Sequence, residues 1–308
     1  MPLPGLTAET ARAGLRSARR GITRRACSLA LAAMVAACAV RAPPEEPWES
    51  RLAGDAVVLL GEVHDNAAVH RLRLAVLERA LARGWRPAIA MEQFDRERQP
   101  AIDEARRERP LDVEHLIDAG TGGHRSGWDW TRYAPVIALA LRHDLPLVAA
   151  DLSNADASRI VRGGDAAVFD AAARAVIGLD RPIPPAWLAA QEREVEEGHC
   201  HLLPPALLPA MARAQLTRDA VIAAAVRAHE SNGIVLLAGN GHVRRDIGVP
   251  RWLGPALAPR VLSVGFVEEG GDVAREAVAY DAVVRVPPAA REDPCEGLRA
   301  HPPMSTGS

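Results

Sequence analysis

The sequence predicts an α/β fold, a mostly parallel sheet flanked by helices, with a helical cap inserted between the third and fourth core strands. Three observations predict it. Short apolar runs recur along the chain with helical stretches between them, as in parallel strands covered on both faces. Several of these runs lead straight into polar residues, the position where open α/β sheets hold ligands. Roughly 80 residues between the third and fourth runs contain no strand-like segment.

The elements follow in order. Ala56–Leu60 (AVVLL) is the first strand, and an amphipathic helix follows near residues 67–83. Pro87–Met91 is the second strand, followed by charged helical sequence to about Arg109. Pro146–Ala150 is the third. Helices near 154–176, 185–198 and 205–230 form the cap, about residues 154–230. Ile234–Ala238 and Arg260–Phe266 are the fourth and fifth strands, and Asp281–Val286 is a late edge strand. There is no internal repeat, and the sequence from Pro287 is Pro-rich.

Composition narrows the function classes. The chain has 308 residues, 48% hydrophobic and 25% charged, which is ordinary for a globular protein. All 37 basic residues are arginine, so Schiff-base and phosphate-loop lysines are excluded. Residues 1–37 carry six arginines against Glu9 and end in an apolar stretch, Ala26–Ala37, too short to cross a bilayer. Val35-Ala36-Ala37-Cys38 resembles a bacterial lipobox, with Cys38 the lipidated first residue. Removing this +5 segment takes the net charge from −2 to −7, which argues against nucleic-acid binding. The expected organisation is a signal peptide (1–37), a Pro- and Glu-rich tether (38–50), an α/β domain (51–290) and a loose tail (291–308). Cys200 and Cys295 remain, either free or joined.

Chemistry concentrates at the strand ends. The first strand runs into Gly61-Glu62-Val63-His64-Asp65-Asn66, the second into Glu92-Gln93-Phe94, the third into Asp151 and then Asn154, and the fourth into Gly239-Asn240-Gly241-His242. If these strands are neighbours, Glu62, His64, Glu92 and His242 converge. Two carboxylates and two imidazoles suit a divalent metal with an activated water, or metal-free acid–base work. Helix capping explains any one of them equally well. Two further clusters stand out. His199-Cys200-His201 would aim both imidazoles one way in an extended segment, or form an ordinary exposed loop. Trp128, Trp130 and Tyr133 gather rare aromatics ahead of an apolar helix, for stacking a planar ligand or for core packing. On the last cap helix, Met211, Gln215, Arg218 and Asp219 fall largely on one face and, with Asn240, are candidate supporting groups.

These motifs, Leu60-Gly61-Glu62-Val63-His64, Met91-Glu92-Gln93-Phe94, Trp128-x-Trp130-x-x-Tyr133-x-Pro135, His199-Cys200-His201-Leu202-Leu203-Pro204, Met211-x-x-x-Gln215-x-x-x-Asp219 and Gly239-Asn240-Gly241-His242-Val243-Arg244, occur in this order over about residues 55–250. Together they resemble the ChaN-like haem-binding uptake lipoproteins of the Tiki/TraB and erythromycin-esterase superfamily. The resemblance implies a bacterial envelope lipoprotein, anchored by lipid at the outer membrane and tied to haem or iron uptake and its transport machinery. It implies a homodimer holding haem between its copies, with a tyrosine oxygen on iron. Of Tyr133 and Tyr280, Tyr133 lies in a motif and is the expected ligand. Without lysine, Arg132, Arg244, His199 and His201 are the candidates for the propionates. In the wider superfamily the positions of Glu62, His64, Glu92 and His242 form hydrolytic active sites. The alternative is therefore a metal-dependent hydrolase in which His64 or Glu92 activates water. A non-catalytic envelope scaffold is the second alternative.

Overall fold

The computed structural model describes residues 46–293 together with 295, 296 and 299. The expected signal segment and Cys38 lie outside the described residues. Six strands form one all-parallel sheet: β1 (Val57–Leu60), β2 (Ala88–Asp95), β3 (Leu147–Asp151), β4 (Ile234–Leu237), β5 (Val261–Glu268) and β6 (Ala282–Val286). Their order is β3-β2-β4-β1-β5-β6, so the late strand is at an edge, as its position in sequence predicts. Ten helices are described: α1 (Ala67–Ala82), α2 (Gln99–Glu108), α3 (Val113–Thr121), α4 (Trp130–Arg142), α5 (Asn154–Gly163), α6 (Ala171–Ile177), α7 (Pro185–Gly198), α8 (Leu208–Arg227), α9 (Asn240–Val243) and α10 (Val273–Ala279).

In β1, β4 and the first half of β2, residues alternate between two cores, which is why these runs are apolar throughout. Val58, Leu60, Ile89, Met91, Val235 and Leu237 pack with Leu77 of α1, Leu116 of α3 and Ile137 of α4. Val57, Leu59, Ala88, Ala90, Ile234 and Leu236 pack with Ile222, Ala223 and Val226 of α8. The last cap helix therefore has two jobs. Its C-terminal half covers the sheet, while Ala214, Leu216 and Val221 join Ile160, Phe169 and Ile177 in a third cluster under the cap.

From β1 the chain moves outward to β2 and β3, then returns to insert β4 beside β1 before continuing through β5 and β6. The crevice between the C-terminal ends of β1 and β4 is thus the switch point, where such folds place ligands. Asn240 closes its floor. Its side chain donates to the Phe266 carbonyl (2.7 Å) and accepts from the Phe266 amide (3.1 Å). Gly61 must lack a side chain here, because a Cβ would lie 2.1 Å from Asn240 Oδ1.

Two expected boundaries move. The tether was expected to run to residue 50, but Trp48 already packs edge-on against Phe266 and buried Glu49 pairs with Arg79 of α1. The tail is not loose where it begins: Arg291 pairs with Asp65 and Glu268, and Cys295 is joined to Cys200 across 95 residues, with a Cα–Cα distance of 5.6 Å.

Candidate functional site

The site is built around a buried carboxylate. Glu62 leaves β1 and is 2% exposed. It accepts hydrogen bonds from the Tyr133 hydroxyl of α4 (2.6 Å), from His64 Nδ1 (2.7 Å), from the amide of Gln93 (3.4 Å) and, as an ion pair, from the guanidinium of Arg73 on α1. Burial alone would raise the pKa of this carboxyl, but Arg73 and His64 bring it down to about 2. Arg73 is itself buried and also donates to the Leu60 carbonyl at 3.2 Å.

His64 is held by this carboxylate and walled by Trp128, whose ring stands edge-on with centroids 5.0 Å apart. Its side chain is 47% exposed, and Nε2 has no hydrogen-bond partner among the described residues. With Nδ1–H given to Glu62, Nε2 is left as a lone-pair donor. A histidine oriented this way by a carboxylate is the usual form of a metal-ligating imidazole. Burial opposes charging of His64, yet Glu62 and Glu92 prevail and its pKa is raised.

Across Gly239, a second cluster faces the first. Glu92 accepts from the Gly239 amide at 2.6 Å, and His242 lies between Glu92 (Nε2–Oε1 3.5 Å) and Asp219 of α8 (Nδ1–Oδ1 2.6 Å). A Cβ on Gly239 would sit 3.0 Å from the His64 ring and 3.7 Å from the Glu92 carboxylate, so the two clusters meet at this glycine. Burial works against an imidazolium at His242, but the two carboxylates overcome it and push the pKa up to about 9. Behind this cluster, burial raises Asp151 to about 7 although Arg218 donates to it at 3.1 Å.

These shifts set a pH dependence. His242 titrates above its ordinary 6.5 in the folded state, so its contribution is whole below 6.5 and is lost as pH rises through 9. Asp151, held protonated by burial, likewise costs stability as pH climbs from 3.8 through 7. Glu62 has the opposite sign: its contribution is present above 4.5 and is lost as pH falls through 2. The denaturation midpoint is expected to be highest on the acid side of neutrality and to fall toward pH 9. A flat profile between these limits would contradict the assignment.

With this geometry in place, the family described as haem-binding uptake, Tiki superfamily, ChaN matches residues 48–253, two thirds of the chain. The chain belongs to the ChaN family. No curated protein matches it by sequence. Among solved structures, that of cofacial haem binding to ChaN of Campylobacter jejuni is similar with a TM-score of 0.60 and 18% identity, over 76% of this chain and 89% of that one. A mutant of the erythromycin esterase EreC in its open conformation gives a TM-score of 0.39 and 16% identity, over 72% of each chain.

In this ChaN-family chain, Glu62, His64, Glu92 and His242 do come together, but not as a metal centre. Among the described residues no three His, Cys, Asp or Glu side chains are placed to share a cation. The reason is visible in the bonding. Glu62 spends its oxygens on Arg73, His64 and Tyr133, and His242 spends Nδ1 on Asp219. Glu92 also lies within β2 and not beyond it, because β2 extends to Asp95 with a register shift between Met91 and Asp95 that re-aims its side chains.

The expected haem contacts are dispersed. Tyr133 is 1% exposed with its hydroxyl on Glu62, and burial together with that carboxylate raises its pKa, so it offers no oxygen to a flat ligand. His199 and His201 do not lie in an extended segment. They end α7 in a tight turn, with Cys200 and His201 at φ 59° and 57°, His199 bonded to the Val195 carbonyl and His201 exposed. Arg244 is held by Asp246 and Glu194, and Arg132 by Asp129. Of the candidate supporting residues, Asp219 bonds to His242 and Asn240 to the backbone of Phe266. Arg218 bridges Asp151 and Asn154, and Gln215 keeps a buried Oε1 without a partner. Sequence reasoning missed Arg73, His70 and the role of Gln93. A signal for Arg73 existed: it falls on the buried stripe Val69-Arg73-Val76-Leu77-Ala80, where an arginine needs a buried anion.

Proposed function

We propose that this protein binds haem for uptake and that the iron's ligand from the protein is the His64 imidazole nitrogen, not the Tyr133 oxygen. The observation that carries this reading is His64 itself: half-exposed, backed by a buried carboxylate, walled by Trp128, and with a lone pair at Nε2 that no other group uses. Membership of the ChaN family supports haem as the ligand. The donor set fits, since imidazole is a common axial ligand and haem iron supplies the Lewis-acid centre that the lone pair meets. Glu62 orients the ring and fixes its tautomer. Arg73 keeps Glu62 ionised, and the Tyr133 hydroxyl helps hold it in place. Trp128 excludes water from one side.

The wider reading is an envelope lipoprotein, anchored through Cys38 at the outer membrane and pairing with a second copy across the haem. Its support is the lipobox-like sequence Val35-Ala36-Ala37-Cys38.

Because His64 must lose its proton to bind iron, and its pKa is raised, hemin affinity is expected to increase from about pH 6 to about pH 8. Hemin titration monitored by the Soret band at the two values checks this. Equal affinities would remove His64 from the iron.

A further inference from the structure

A cavity of about 330 Å³ is lined by residues of α1 and α4, Arg73 among them but not Glu62. Its inner wall is apolar, made by Leu77, Val136 and Leu237, all buried. Its mouth carries His70, Arg71 and Arg132. Arg71 is exposed and makes no hydrogen bond or ion pair among the described residues, whereas Arg132 is occupied by Asp129. His70 adds no charge. Its Nε2 meets the His64 carbonyl (2.9 Å) and its Nδ1 faces Arg73 (3.3 Å), and burial with Arg73 pushes its pKa down. Deeper in, Arg73 is only 3% exposed, and its Nε is buried without a partner. A buried guanidinium N–H left bare costs free energy unless an acceptor reaches it.

We propose that this cavity is a second small-molecule site, for an apolar monocarboxylate whose chain lies on Leu77, Val136 and Leu237 and whose carboxylate meets Arg71 and Arg73. The volume is at the low end for ligand pockets, so it suits a short chain or a single ring and not a macrocycle. A doubly charged inorganic anion would leave the apolar wall uncovered. An amine would meet Arg71 and Arg73, while the one carboxylate among the lining residues, Asp129, is already paired with Arg132. Two contacts tie the site to the neighbouring one: Arg73 is shared with Glu62, and His70 packs edge-on against Tyr133 at 5.0 Å.

The test is calorimetric titration of the full chain, free of hemin, with octanoate, octylamine and inorganic phosphate. Octanoate is expected to bind at one site per chain, and the other two are not. Arg71→Glu, at an exposed position, is expected to weaken octanoate by at least about tenfold while leaving the thermal midpoint and hemin binding unchanged. Equal binding of octylamine, tighter binding of phosphate, or wild-type affinity in Arg71→Glu would overturn the proposal. Hemin-saturated protein should still take octanoate. If hemin displaces it competitively, the cavity belongs to the haem surface and is no separate site. Failure of hemin to bind at all would count against the haem reading and leave the octanoate result standing.

Discussion

Replacing Glu62 with leucine is expected to destabilise the fold by about 3–5 kcal/mol, the cost of leaving one member of a buried ion pair without the other. Arg73 would keep its charge in a site from which its carboxylate partner has gone, and the Tyr133 hydroxyl and His64 Nδ1 would lose their acceptor as well. The size of the effect comes from Arg73 and not from the lost packing of Glu62. A double-mutant cycle separates the two. Glu62→Leu with Arg73→Met should recover much of the stability lost in Glu62→Leu alone, because the stranded charge goes too. Urea denaturation of the two single variants and the double variant measures this. If the losses simply add, Glu62 and Arg73 are not coupled and the site lacks the centre described here.

The disulfide is the second large effect. Cys200 ends α7 in a left-handed turn, and Cys295 lies past β6 in the C-terminal tail, so the bond fastens that tail to the cap. Closing a loop of this length removes about 4–5 kcal/mol of chain entropy from the unfolded state on the loop-closure model. The double substitution Cys200→Ser with Cys295→Ser, or reduction of the native chain, should lower the denaturation midpoint accordingly. Reductant should do nothing further to the double variant. An unchanged midpoint on reduction would mean that the two thiols are not joined in solution. Such a bond persists in oxidising compartments.

The sheet was legible because strands buried on both faces read as short, mostly apolar runs, and all six such runs became strands, including the half-exposed edge strand with Arg285. The end of β2 was not, for the same reason reversed: Glu92, Gln93 and Asp95 are polar, so the strand read as finished at Met91, yet it continues to Asp95. The convergence of Glu62, His64, Glu92 and His242 followed from their positions at strand ends. Their bonding did not follow, because partners such as Arg73 and Asp219 come from helices whose rotation about their axes only packing fixes. Tyr133 shows the limit most clearly. Its rarity and its motif marked it as important, but nothing in spacing says whether a phenol faces solvent or a buried carboxylate. In the fold, α4 turns it inward onto Glu62, and it is His64 that faces out.

His64 and Tyr133 are the two residues that could meet the iron, and one measurement separates them. Hemin is added to the wild type, His64→Ala and Tyr133→Phe, and the Soret maximum, the charge-transfer bands and the ferric spin state are recorded for each complex. Tyr133→Phe is expected to keep the wild-type axial signature, with a small loss of stability from the missing bond to Glu62. His64→Ala is expected to lose it, with weakened or absent Soret development, and added imidazole should restore it. The opposite pattern, a phenolate-type spectrum in the wild type that vanishes in Tyr133→Phe and survives in His64→Ala, would contradict the account.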